Sequence, residues 1–254
     1  MKRIVVKVGS AVLTENNAIA LDRMKALVYF LAELKKKHQV ILVSSGAVSA
    51  GYTALQLDRS ILENKQALAS IGQPILMKKY SEKFAHHDIL SSQVLVTSVN
   101  LNKADDVQRI KNTIDTLLNN GVIPIVNEND ATSTEELVVG DNDQLSAYMA
   151  KNTDADMLII LSDIDAYYDK DPRVHDDAKP LNIVYSIEKS ELEKDVTPNN
   201  VFATGGIVTK LKAAQYLLDN KIDMFLASGF DLRDIKSYMI DGIHKGGTLF
   251  KADK

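Results

Sequence analysis

Short apolar runs alternate along the chain with longer segments in which apolar residues recur every three or four positions. The runs are rich in β-branched residues and mostly lack polar alternation, which is typical of strands buried on both faces. The longer segments have the periodicity of amphipathic helices. The predicted strands are 4–6, 40–43, 94–96, 122–126, 157–161 and 224–226, and the predicted helices are approximately 22–37, 63–84, 102–120, 142–151 and 208–220.

This alternation of strands and helices predicts an α/β fold. Repeated βαβ units place helices on both faces of a mainly parallel sheet, so we expect a three-layer αβα sandwich. In such sheets, ligands bind beyond the carboxyl ends of the strands. The loops that follow the strands are therefore where functional residues are expected.

Composition narrows the possible functions. The 254 residues are 45% hydrophobic and 25% charged, which is ordinary for a globular protein and excludes a disordered or fibrous chain. A net charge of −4 gives no basic excess for nucleic acid or an anionic membrane, so we expect small-molecule partners. The absence of cysteine excludes disulfides and thiolate chemistry. The first apolar stretch is interrupted by Lys7, so no signal peptide or membrane span is predicted, and we expect a cytoplasmic protein.

The predicted strands end in polar or glycine residues. The post-strand segments are 7–10 (KVGS), 44–47 (SSGA), 127–130 (NEND) and 162–163 (SD). Two further clusters stand at predicted helix starts, 140–143 (GDND) and 204–210 (TGGIVTK). Glycine N–H groups that open a helix, with Lys210 one turn inside it, favour a bound phosphate.

Each cluster also has a purely structural interpretation. Lys7 could lie on an edge strand or extend its side chain to solvent, and Ser45-Gly46 could form only a tight turn. Asp141 and Asp143 could be solvated helix caps. Because buried lysine is rare unless paired, and because these acidic groups need cations nearby, the charges are better explained as one site.

The chemistry is narrowed by missing motifs. The chain has no G-x-x-x-x-G-K-[ST], G-x-G-x-x-G, H-E-x-x-H or protein-kinase signature, and its five histidines fall outside the polar clusters. Two lysines and glycine-lined helix starts suit phosphoryl transfer to an acceptor that is already an anion. A carboxylate with a pKa of about 4.3 needs no general base at neutral pH. Lysines, backbone N–H groups and Mg²⁺ can offset the repulsion between the two anions, which predicts a carboxylate kinase.

Six segments resemble, in order, the motifs of the amino acid kinase family. They extend over nearly the whole chain, and the pair 127–130 and 140–143 is most similar to members that phosphorylate free L-glutamate. The segments are 7–10 (KVGS), 44–51 (SSGAVSAG), 126–130 (VNEND), 139–143 (VGDND), 171–173 (DPR) and 204–210 (TGGIVTK).

The resemblance implies ATP-dependent phosphorylation of the glutamate side-chain carboxylate with Mg²⁺, the first step of proline biosynthesis. Lys7 and Lys210 would neutralise the transferring phosphoryl group, and Asp143 would hold both lysines; no side chain is assigned to a metal. The positions that match glutamate-binding residues are Ser45, Asn127, Asp130, Asp141 and Asn142. The positions that match nucleotide-binding residues are Lys7, Gly9, Ser162, Asp163, Thr204, Gly205, Gly206, Ile207, Val208, Thr209 and Lys210.

The resemblance also implies one domain over residues 1–254, with an amino-acid lobe to about residue 150 and a nucleotide lobe beyond it. It implies a homo-oligomer and feedback inhibition by proline, and we expect no C-terminal RNA-binding-like domain. The chain departs from the family at Ser162, where threonine is common, and at Ala166, where glycine is common. If residue 166 needs a positive φ, alanine there costs roughly 1 kcal/mol.

Two other interpretations remain open at this point. Another member of the same family could act on N-acetylglutamate, aspartate, carbamate or a nucleoside monophosphate. A catalytically silent binding protein could have kept the fold, although the presence of both Lys7 and Lys210 argues against it.

Overall fold

The computed structural model describes residues 1–132, 142–193 and 206–253, and its centre is an eight-stranded sheet. The strand order is β5-β6-β4-β1-β7-β9-β10-β8, and all neighbours are parallel except β9 and β10. The strands of this sheet are β1 (Arg3–Val8), β4 (Gln39–Ser44), β5 (Ser91–Val96), β6 (Ile123–Glu128), β7 (Met157–Ser162), β8 (Ile183–Val184), β9 (Asp223–Ser228) and β10 (Thr248–Phe250). A separate hairpin is formed by β2 (Thr14–Glu15) and β3 (Ala18–Ile19).

The helices include all five that the sequence predicts, with their ends shifted by a few residues. Among the described residues, no helix combines the length and the apolar character that a membrane crossing requires. The helices are α1 (Ser10–Leu13), α2 (Leu21–Lys35), α3 (Ala47–Tyr52), α4 (Leu62–Ala85), α5 (Ser98–Leu101), α6 (Ala104–Asn119), α7 (Asn142–Asn152), α8 (Lys189–Leu192), α9 (Ile207–Asp219) and α10 (Arg233–Lys236), and a π-helical turn follows at Ser237–Asp241.

Two separate hydrophobic cores lie on the two faces of the sheet. In β1, Ile4, Val6 and Val8 pack on one face with apolar residues of α2 and α4. Val5 packs on the opposite face with residues of α6, α7 and α9. This division follows from the alternation of side chains along a strand, and it confirms the predicted three-layer αβα sandwich with a mainly parallel sheet.

Lys7 lies in the middle of this sheet. Its strand is paired on both sides, with Lys7 opposite Val43 of β4 and Ile160 of β7, so the interpretation as an edge lysine is wrong. Its side chain is only 4% exposed and therefore does not extend to solvent. Side chains alternate along β1, so Lys7 points to the same face as Val5, towards α7 and α9.

The carboxyl ends of β1, β4, β6, β7 and β9 lie along one edge of the sheet because these strands run parallel. The polar segments that the sequence places after β1, β4, β6 and β7 are therefore neighbours in space. We call this edge of the sheet, where the parallel strands end, the carboxyl edge. The amino ends of α7 and α9, which begin at Asn142 and Ile207, bring further side chains to this edge.

Candidate functional site

A buried group of three charged residues joins β1, α7 and α9 at the carboxyl edge. Asp143, in the first turn of α7, accepts from Lys7 Nζ at 2.5 Å through Oδ1 and from Lys210 Nζ at 3.0 Å through Oδ2. The Asp143 carboxylate is fully buried, and Lys7 and Lys210 are 4% and 3% exposed. We call these three residues the lysine group. Its two cations and one anion carry a formal charge of +1, which attracts an anion to this point.

The amino end of α9 is fixed to the same carboxylate. Thr209 Oγ1 donates to Asp143 Oδ2 at 3.0 Å, and Lys210 Nζ also donates to the carbonyl of Gly206 at 3.4 Å. Gly206 precedes the helix and has no side chain to cap it, and the first turn contains no acidic residue. The first backbone N–H groups of a helix lack intrahelical acceptors and favour anions, so this end of α9 suits a phosphate.

The other predicted residues at this end contribute through the backbone or lie outside the described residues. The side chain of Val208 is buried, and that of Ile207 packs against the core that contains Val5. These two residues can therefore bind a ligand through their backbone N–H groups and not through their side chains. Thr204 and Gly205 lie outside the described residues.

Gly9 follows Lys7 by two residues and lies close to its ammonium group. Its N–H donates to the carbonyl of Leu161 at 3.0 Å, and its φ of −73° is accessible to any residue. A Cβ atom at this position would lie 3.8 Å from Lys7 Nζ. Glycine is therefore useful here because it keeps the space beside the ammonium group clear.

A chain of side-chain amides extends from the lysine group towards α4. Asn142, which precedes Asp143, donates from Nδ2 to Ser45 Oγ at 2.7 Å and to Asn127 Oδ1 at 3.2 Å. Asn127 Nδ2 donates to Gln73 Oε1 at 3.0 Å. We call Ser45, Asn142, Asn127 and Gln73 the amide chain. Three of its members are predicted glutamate-binding residues, and the fourth, Gln73, was not singled out by the sequence analysis.

A second residue of α4 also reaches this region. Ser44 Oγ donates to the carbonyl of Ser45 at 3.0 Å, and the Tyr80 hydroxyl is hydrogen-bonded to Ser44 Oγ at 2.9 Å. Both side chains are fully buried, and burial raises the pKa of Tyr80 well above its usual range. The turn that carries Ser45 is thus stabilised, through Ser44, by the neutral side chain of Tyr80.

A cavity of about 170 Å³ opens beside the amide chain, between α4, β5 and the loop after β6. Asp130, Glu128 and Gln73 are part of its wall. Burial, and then the nearby charge of Glu128, raises the pKa of Asp130 to about 6. A carboxylate in this situation is stabilised by a cation, so the cavity favours an ammonium group next to Asp130.

Ser162 and Asp163 end β7, the strand beside β1, and Ser162 Oγ donates to Asp163 Oδ1 at 2.9 Å. Asp141 lies outside the described residues. Ala166 is buried, and it is not among the described residues with a positive φ. The backbone cost that alanine would have at a left-handed position therefore does not arise.

The chain resembles known proteins in both sequence and fold. The family model described as "Amino acid kinase family" matches residues 2–228. A protein named glutamate 5-kinase from Wolinella succinogenes is 52% identical over 98% of both chains, and one from Leishmania donovani is 50% identical over 98% of this chain and 95% of its own. The solved structure of carbamate kinase from Giardia lamblia bound to AMP-PNP has a TM-score of 0.67 at 18% identity, over 99% of both chains, which supports the fold.

Proposed function

The chain belongs to the amino acid kinase family, and we propose that it transfers the γ-phosphoryl group of ATP to the side-chain carboxylate of L-glutamate. The relatives named glutamate 5-kinase match it over nearly their full lengths at about half identity. Among the structural observations, the lysine group carries the proposal. Two buried ammonium groups on one aspartate form a preorganised cationic site, which phosphoryl transfer between two anions requires.

The reaction needs charge neutralisation more than proton transfer. A carboxylate oxygen of glutamate forms a bond to the γ-phosphorus of ATP, the bond from that phosphorus to the bridging oxygen breaks, and ADP leaves. The acceptor is already ionised at neutral pH, so no general base is required. Lys7 would act at the acceptor side of the transferring group, and Lys210, together with the N–H groups at the start of α9, would act at the ATP side.

The amide chain and the cavity would hold the amino acid. Asn142 precedes Asp143 in the sequence and donates to Ser45, and these two side chains would position the reacting carboxylate near Lys7. The ionised Asp130 side chain would bind the α-ammonium group. The nucleotide would then be bound by the remaining predicted residues, which are Gly9, Ser162, Asp163 and the segment 204–210.

Mg²⁺ would enter with the nucleotide. Within the described ranges, no three histidine, aspartate or glutamate side chains form a group that could hold a metal ion. Mg²⁺ in kinases is usually bound by substrate phosphates, waters and only one or two carboxylates, so these residues fit an ion that ATP brings. When bound, the ion would neutralise charge on the β- and γ-phosphates.

The direct test is an assay of the purified chain with ATP, Mg²⁺ and L-glutamate. We expect ADP release that depends on L-glutamate, and an acyl phosphate that hydroxylamine traps as the hydroxamate. N-acetyl-L-glutamate, L-aspartate, carbamate and UMP serve as competing acceptors. Turnover with one of these but not with L-glutamate would contradict the proposal, and no turnover with any acceptor would favour a binding protein.

We further propose proline as a feedback inhibitor and a homo-oligomeric assembly, both on the family resemblance. A single domain of two lobes is supported by the continuous sheet, and a cytoplasmic location is supported by the need for ATP. Adding proline to the assay, and measuring the mass of the assembly in solution, test the first two.

Asp130 gives the reaction a predicted pH dependence. Its pKa of about 6 lies above the ordinary aspartate value of 3.8, so the charge that binds ammonium is present at pH 7 and is lost as pH falls through 6. If only the ionised form binds, the KM for L-glutamate should rise about tenfold between pH 7 and pH 5. The KM for ATP should change much less.

The variant Asp130→Asn tests the origin of this dependence. It should raise the KM for L-glutamate at pH 7 more than the KM for ATP, and it should flatten the rise below pH 6. Because burial of the charge opposes folding, the ligand-free variant should be at least as stable at pH 7 as the unmodified chain. A larger effect on ATP would instead assign Asp130 to the nucleotide side.

A further inference from the structure

The hydrogen bonds of the amide chain determine which polar group of the Gln73 side chain remains for a ligand. Asn142 donates to Asn127, and Asn127 donates to Gln73 Oε1. The acceptor of Gln73 is therefore used within the chain, and its Nε2 donor group remains. Asn142 Nδ2 also donates to the carbonyl of Ser44 at 3.5 Å, a group that can only accept, which sets the direction of the chain. In that direction, the opposite Gln73 orientation would place its donor against the Asn127 donor.

The Nε2 group of Gln73 is buried and unsatisfied. Gln73 is only 7% exposed, and its Nε2 makes no hydrogen bond with any residue of the described ranges. A buried amide donor without an acceptor is costly and uncommon in native proteins. A bound ligand with an acceptor would remove this cost.

The cavity beside Gln73 has the chemistry of a site for the α-carbon end of an amino acid. Its wall includes Asp130 and Glu128, which can accept from an ammonium group. Pro74 has no N–H for the carbonyl of Ser70, its partner four residues earlier in α4, and Ser70 also lines the cavity. The cavity thus holds acceptors for an ammonium group, and Gln73, whose donor is unsatisfied, forms part of the same wall, a combination that complements the two charges of an amino acid.

We propose that Gln73 is a specificity residue whose Nε2 donates to the α-carboxylate of L-glutamate. The inference rests on the proposed function, because it assigns one end of the same substrate. The other end of the amide chain, at Asn142, adjoins Asp143 and the two lysines, where the side-chain carboxylate must react. The carboxylate at the Gln73 end is therefore the α-carboxylate.

The test compares ligands that differ in one group. 4-Aminobutyrate lacks the α-carboxylate of L-glutamate, and glutarate lacks the ammonium group but keeps both carboxylates. Affinities are measured without ATP, from the rise in unfolding temperature with ligand concentration. The variants are Gln73→Met, which removes the amide, and Gln73→Glu, which keeps the size and the acceptor for Asn127. Gln66→Met, two turns earlier on α4 and outside the cavity, is the matched control.

We expect both Gln73 variants to reduce the preference for L-glutamate over 4-aminobutyrate by about tenfold, the contribution of one hydrogen bond to a charged acceptor. Gln73→Glu should weaken L-glutamate more than Gln73→Met does, because two carboxylates would then face each other. The ratio of L-glutamate to glutarate should change little in Gln73→Met, and Gln66→Met should leave every ratio unchanged.

A purely structural role would give a different result. If Gln73 only supports Asn127, all three ligands weaken by the same factor and the ratios stay constant, which overturns the proposal. Should Gln73→Met not fold, Gln73→Glu carries the same comparison. If the unmodified chain shows the expected ratios but forms no acyl phosphate, the proposed function is wrong and the assignment of Gln73 stands.

Discussion

Replacing either lysine of the lysine group by methionine is expected to lower kcat by about a hundredfold or more. Removal of one preorganised charge contact to a transition state commonly costs about 3 kcal/mol. Lys7→Met and Lys210→Met keep most of the side-chain volume and remove only the ammonium group. Steady-state kinetics with L-glutamate and MgATP, each at saturation, measure the effect.

Both variants are expected to fold. The lysine group contains two cations and one anion, so each substitution leaves Asp143 paired with the remaining lysine. Asp143→Asn differs, because it removes the negative charge that both buried ammonium groups contact. Loss of one partner from a buried ion pair commonly costs about 3–5 kcal/mol, so this variant should lose stability as well as activity.

The control for the catalytic effect is Lys212→Met, on the exposed side of α9. It removes the same charge from the same helix, two residues after Lys210, and it should leave kcat within about twofold. Unchanged turnover in Lys7→Met or Lys210→Met would contradict the assigned roles. An equal loss in Lys212→Met would show that net charge, and not contact with the phosphoryl group, matters.

The main strands could be predicted because both faces of the sheet are covered. In β7 every residue is buried, and in β1 every residue after Arg3 is buried, which gives the chain its apolar runs. The strands β8 and β10, with two and three residues, are too short to give such a run, and neither was predicted. The start of α6 was placed at residue 102 and lies at Ala104, because Thr97 and Asn100 form a capping box that begins the separate helix α5.

Part of the site could be predicted because some of its charged residues stand out from the sequence around them. Lys7 is a charge inside an apolar run, and Asp143 and Lys210 lie near predicted helix starts, so their types conflict with their surroundings. Gln73 gives no such signal, because one glutamine in a long helix is ordinary. Its partner Asn127 is 54 residues away in the sequence, on β6. Gln73 itself lies on α4 where this helix crosses α3.

That crossing depends on two glycines. A Cβ atom at Gly72 of α4 would lie 1.8 Å from the carbonyl oxygen of Ala47 and 2.3 Å from the backbone nitrogen of Gly51, and a Cβ atom at Gly51 would lie 1.9 Å from the carbonyl oxygen of Leu68. The neighbouring atoms are backbone and cannot move as a side chain can. The two helices are therefore in direct backbone contact.

Gly72→Ala is expected to destabilise the protein by at least about 3 kcal/mol, the upper end of the usual cost of overpacking. For a chain of this size, that corresponds to a fall of roughly 6–12 °C in the unfolding temperature. Helix propensity alone predicts the opposite sign, since alanine is favoured over glycine inside a helix by about 1 kcal/mol. The direction of the shift therefore decides between close backbone contact and propensity.

Gly242→Ala is the matched control, because Gly242 has a φ of +73° but nothing within 4 Å of its Cβ position. Its cost should be limited to about 1 kcal/mol of backbone strain.

Gly72 adjoins Gln73, and α3 follows the turn that carries Ser45, so separating the helices moves the two sides of the amino-acid site apart. At temperatures where Gly72→Ala still folds, the KM for L-glutamate should therefore rise more than the KM for ATP. Equal changes in both would mean that the crossing supports the fold without setting the geometry of the amino-acid site.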